Sequence, residues 1–138
     1  MANQYRSVGS LVGALALTVT SVVLAPPALA TPDGCGETTY GQLCVRGPWP
    51  KTATYQVSYT RGRKSGQITV KLGVQLKLIK PPRDIVRSQW FGTRKTRNGH
   101  AKLSGKVSVN DEVCIRARMV NQGITFVSQW YPDGKCTG

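Results

Sequence analysis

Apolar and polar residues alternate with a period of two along most of the chain beyond residue 50, as they do in strands that bury one face. From Ala53 to Tyr59 the odd positions are Ala53, Tyr55, Val57 and Tyr59, with Thr54, Gln56 and Ser58 between them. From Ile68 to Leu78 the even positions are all Ile, Val or Leu, separated by Thr69, Lys71, Gly73, Gln75 and Lys77. This predicts a long strand with Gly73 at a bend or bulge. Pro81-Pro82 ends it, because proline cannot donate to a sheet ladder. The Arg61–Gly66 segment is expected to join the two strands as a basic hairpin loop. No segment carries a helical stripe.

The second half reads as a meander. Asn98-Gly99 is a type I′ hairpin signal. It sets Arg97 against His100, Arg94 against Leu103, Gly92 against Gly105 and Trp90 against Val107. A three-residue turn at Asn110-Asp111-Glu112 would then set Val109 against Val113, Val107 against Ile115, Gly105 against Ala117 and Leu103 against Met119. A last strand runs from Ile124 to Tyr131 after the turn Asn121-Gln122-Gly123. Its inward side is expected to carry Ile124, Phe126 and Trp130, unless a one-residue slip reverses it. Six or seven antiparallel strands make an all-β protein, a small β-sandwich first and a small β-barrel second. Tyr55, Tyr59 and Trp90 are expected in the core, and Trp130-Tyr131-Pro132 beside Cys136. The segments 88–91 (Ser-Gln-Trp-Phe) and 128–131 (Ser-Gln-Trp-Tyr) look alike but are too short to define a repeat.

The first 30 residues break the pattern. Arg6 is their one charge, Leu11 to Ala25 is a short apolar run, and Ala28-Leu29-Ala30 follows Pro26-Pro27. A charged start, an apolar core and an A-x-A site form a secretory signal peptide. The run is too short and too rich in hydroxyls for a membrane anchor, which needs about 20 apolar residues. Residues 31–138 are then a single basic β-domain, secreted, with no membrane span left after cleavage. All four cysteines, Cys35, Cys44, Cys114 and Cys136, lie in that domain, and an even count in a short exported chain predicts two disulfides. Cys35–Cys44 with Cys114–Cys136 is favoured because each pair is local. Cys35–Cys136 with Cys44–Cys114 is the rival. With no C-x-x-C pair and one histidine, neither a metal site nor a cofactor is expected.

Charge changes the picture most. The chain carries a net charge of +13. Between Arg61 and Lys106 lie thirteen Lys and Arg residues against one acid, Asp84. The meander register puts Arg87, Lys95, Arg97, His100, Lys102, Lys106, Arg116 and Arg118 on one outward face with Phe91 among them. Lys106 and Arg116 would be direct cross-strand neighbours, which is destabilising without an anion nearby. Such a face predicts a non-catalytic binding protein for an anionic polymer or cell-envelope surface, whether wall polymer, acidic polysaccharide or nucleic acid. The alternative is a secreted inhibitor or interaction scaffold. It would offer a secreted hydrolase either Arg61, Arg63 and Lys64 in the basic loop, or Trp49 in its Pro-flanked loop. An enzyme is not expected: no nucleophile or metal motif occurs, and no acid falls beside His100 in the inferred register.

Overall fold

The computed structural model describes residues 34–136, so the leader assigned to residues 1–30 lies outside the described residues. Eight strands form: β1 Gly34–Thr38, β2 Gly41–Arg46, β3 Ala53–Arg61, β4 Thr69–Leu78, β5 Ile85–Lys95, β6 His100–Val107, β7 Val113–Asn121 and β8 Ile124–Val127. They assemble as two antiparallel sheets in the orders β1-β2-β3-β6 (sheet A) and β5-β4-β7-β8 (sheet B). The fold is a β-sandwich and not a closed barrel. Its disulfides are Cys35–Cys44 and Cys114–Cys136, the favoured pairing.

The alternating apolar positions build the core. Tyr55, Val57 and Tyr59 of β3, Val70, Leu72, Val74 and Leu76 of β4, and Ile115, Ala117 and Met119 of β7 interleave in one cluster. Tyr55 is fully buried, and its hydroxyl donates to the Lys51 carbonyl at 2.9 Å. Burial and the neighbouring Tyr131 push its phenol up to about 12.

The partners differ from the predicted meander. The Asn98-Gly99 turn forms as expected, with both residues at positive φ and Arg97 and His100 exchanging two backbone bonds of 2.8 and 2.9 Å. Beyond that bridge the strands part. β5 joins β4, so Arg94 faces Val70 and Trp90 faces Gly73. β6 joins β3, with Ala53 opposite Val107 and Thr60 opposite His100. β7 joins β4, with Leu72 opposite Met119 and Leu76 opposite Ile115. The 110–112 turn is therefore a crossing from sheet A to sheet B. Residues 61–66 also cross between sheets instead of closing a hairpin. The reason is that period-two alternation fixes which face of a strand is buried and leaves its neighbour undetermined. β6 and β7 keep the inward residues expected of them while changing partners; the bulged β5 and the last strand do not.

Two local irregularities redirect tryptophans. The β4–β5 register shifts between Leu72 and Gly73, which turns Trp90 to the outer face of sheet B. A second slip follows β8. The Ser128 N–H donates to Ala117 at 3.0 Å while its hydroxyl accepts from the Ala117 N–H at 2.9 Å. One residue is thereby consumed, and Ile115 bridges Tyr131. Tyr131 is buried and Trp130 faces outward, correcting the inward placement expected for both Trp90 and Trp130. Of the other residues expected inward, Phe126 packs on the core and Ile124 is exposed.

Candidate functional site

Two chain segments meet at the end of the sandwich where β3, β5 and β7 finish. The Arg61 N–H donates to the Gly99 carbonyl at 2.8 Å. Gly99 is required there, since a β carbon on it would run into the Arg61 carbonyl and its φ is +80°. Nearby, the Thr96 N–H donates to Ile68 at 2.8 Å and the Thr96 hydroxyl accepts the Ile68 N–H at 3.0 Å. These bonds lash the 61–68 crossing to the 95–100 turn. Arg61, Arg63 and Lys64 come from one segment, and Arg94, Lys95 and Arg97 from the other. All except the half-buried Arg61 are exposed, and neither segment contains an acid. The Nε of Arg61 is buried without a hydrogen-bond partner.

From this end a stripe continues along β6. Residues Ala101, Leu103 and Val107 point into the sandwich, so His100, Lys102, Ser104 and Lys106 point out. They lie beside Thr60, Ser58, Gln56 and Thr54 of β3, and the Thr60 hydroxyl is 3.2 Å from His100 Nδ1. The stripe is roughly 20 Å long, at about 3.3 Å per residue. Asp84, Asp111, Glu112 and Asp133 occupy loops at or near the opposite end. The cations are thus segregated from most of the described acids, which sharpens the positive potential at one end and one flank.

Not all of the residues expected on the basic face share this surface. Lys95, Arg97, His100, Lys102 and Lys106 do, together with Arg61, Arg63 and Lys64 of the basic loop. Arg87 sits at the seam between β5 and β6, where its guanidinium donates to the Ser108 carbonyl at 3.0 Å. Gln89 makes the matching bond to Lys106 at 2.9 Å, so β5 side chains cover the free edge of β6. Phe91 fills the same seam; a β carbon on Gly105 would strike its ring. Trp49 is half-buried at the far end, its indole N–H donating to Val113 at 3.0 Å and its ring under the Lys135 ammonium. Lys106 and Arg116 are not cross-strand neighbours, because β6 and β7 belong to different sheets.

Arg116 and Arg118 stand on the outer face of sheet B. There Lys71 and Arg118 each lie 4.7 Å from the centre of the Trp90 ring. Arg116 and Lys77 lie 4.3 and 4.6 Å from that of Trp130. Gln75 Oε1 accepts both Nε and Nη2 of Arg116, at 3.0 and 2.8 Å. Burial, then Arg118, lowers the Arg116 pKa; burial, then Arg83 and Arg116, lowers that of Lys77. The sequence signals for this ladder were Gly73, whose missing side chain leaves room for Trp90, and the paired Ser-Gln-Trp segments, which supply both rings. Among the described residues no group of three or more His, Cys, Asp or Glu converges as a metal site. No described helix is long and apolar enough to cross a membrane; this and the two disulfides are compatible with an extracellular protein.

No protein-family model matches the chain, and no curated protein or solved structure is significantly similar to it.

Proposed function

We propose that the protein is exported on its 1–30 leader and acts, without catalysis, as a binder of anionic polymers or of an anionic cell-envelope surface. The contact runs from Lys106 through Lys102 and His100 to the joined segments holding Arg61, Arg63, Lys64, Lys95 and Arg97. One observation carries this reading: the Arg61–Gly99 backbone bond brings the cations of two segments together at one end of a rigid sandwich. Like charges gathered this way repel one another, and a polyanion relieves that repulsion while releasing its own counterions. Retention on immobilised acidic polysaccharide, wall polymer and nucleic acid tests it. The protein is expected to bind at low ionic strength and to elute steeply as salt rises. No retention on any of them at low salt would remove the reading.

A second reading rests on the exposure of Arg63 and Lys64 in a loop fastened at its base. Such a loop is pre-organised to enter the cleft of a secreted hydrolase that accepts basic side chains, acting as an inhibitor. It predicts stoichiometric, salt-tolerant inhibition that Arg63→Ala and Lys64→Ala abolish.

A further inference from the structure

We propose that the outer face of sheet B is a second anion site, separate from the β6 stripe, and that it takes an extended phosphodiester-type chain without bases. Outward positions on β4 and β7 fall in rows two residues apart, which is about 7 Å along the strands. Four successive rows each supply one cation: Lys71, then Arg118 opposite Gly73, then Arg116 opposite Gln75, then Lys77. A linear chain laid along β4 meets them in that order.

None of the four is held by a carboxylate among the described residues. Arg116 is held by Gln75, Lys77 by the Cys136 carbonyl at 2.9 Å, and Lys71 and Arg118 by the Trp90 ring. Arg118 keeps a buried Nε with no partner. Four cations in single file, Lys71 exposed and the other three half-buried, with their donors only partly used, are suited to a chain that brings one anionic oxygen group per row. The rings specify what that chain lacks. Single-stranded nucleic acid is normally gripped by stacking bases on open aromatic faces. Here each tryptophan already carries two cations within 5 Å of its ring centre, and a stacking base competes with them for the ring. A polyol phosphate, or any base-free phosphodiester of similar spacing, needs the cations alone.

Two oligomers of equal length separate the possibilities: an abasic deoxyribose phosphodiester chain and oligothymidylate, titrated against the whole protein with tryptophan fluorescence as the readout. The abasic chain is expected to alter the fluorescence and to bind at least as tightly as oligothymidylate. Lys71→Gln with Arg118→Gln is expected to weaken abasic binding tenfold or more. If that pair fails to fold, Lys71→Gln with Lys77→Gln serves instead. Lys102→Gln with Lys106→Gln, which alters only the β6 stripe, is expected to leave the fluorescence response intact, so that failure of either site is seen without the other. Tenfold tighter binding of oligothymidylate, or abasic affinity unchanged by the sheet B substitutions, would overturn the proposal.

Discussion

Tyr55 shows how one buried group ties the core to the loop that closes it. Its ring lies where any side chain on Gly47 would have to go, and its hydroxyl holds Lys51. Tyr55→Phe leaves the Lys51 carbonyl without that donor and should cost about 1 kcal/mol at neutral pH. The phenol is raised from 10.0 to about 12, so the folded state keeps its proton longer than the unfolded chain does. That contribution is intact below about pH 10 and is lost as pH climbs through 12, amounting to about 2–3 kcal/mol. Denaturant unfolding of wild type and Tyr55→Phe at pH 7 and near pH 12 checks this. Wild type should be the more stable at neutral pH and the less stable at the alkaline end; a constant difference would show that Tyr55 ionises freely. At the basic end, Gly99→Ala should separate the two lashed segments, because both its positive φ and its closeness to Arg61 exclude a β carbon.

At the scale of strands, the outer face of sheet B depends on a missing side chain. A β carbon on Gly73 would meet the Gln89 carbonyl and the Trp90 ring. Gly73→Ala should therefore cost about 1–3 kcal/mol through overpacking, with a change in tryptophan emission as Trp90 leaves Arg118. The Cys114–Cys136 bond pins the 128–136 segment over the same face. Replacing both cysteines by serine should cost about 3 kcal/mol in the chain-entropy model and free Trp130 from Lys77; thermal unfolding and emission together test it. The sequence made the strands from β3 onward and most of their inward faces legible, since burial is written in each strand's own alternation; β1 and β2, short and joined by a tight turn, were not foreseen. It marked the Asn98-Gly99 turn, whose φ values demand those residue types. Pairing partners were not legible: β6 and β7 present inward faces that fit either each other or β3 and β4, and only the assembled core chooses. Of the two register slips that redirect tryptophans, the one at Gly73 was expected as a bend or bulge, though not its effect on Trp90; the other depends on the Ser128 hydroxyl replacing a backbone acceptor, which no period reveals. Trp90 and Trp130 consequently looked like core residues.

Across the whole molecule, the sandwich sorts one sign of charge onto separate surfaces. Reading the charge as one face was correct about its abundance and wrong about its layout, because the expected face drew on strands from both sheets. The β6 stripe and its end cluster hold exposed cations, whereas the cations of sheet B are mostly half-buried against tryptophan. The two regions should respond differently to substitution, with Lys102→Gln and Lys106→Gln altering affinity while leaving the fold intact. The most direct measurement is the slope of log affinity against log salt for a long anionic polymer, taken for wild type and for Arg97→Gln, Lys102→Gln, Lys106→Gln. On a phosphate polymer, each cation removed from the proposed stripe should flatten the slope by about 0.7–0.9, so the slope of the triple variant should fall by about two to three while its unfolding midpoint stays near that of wild type. An unchanged slope in a folded triple variant would contradict binding through this stripe.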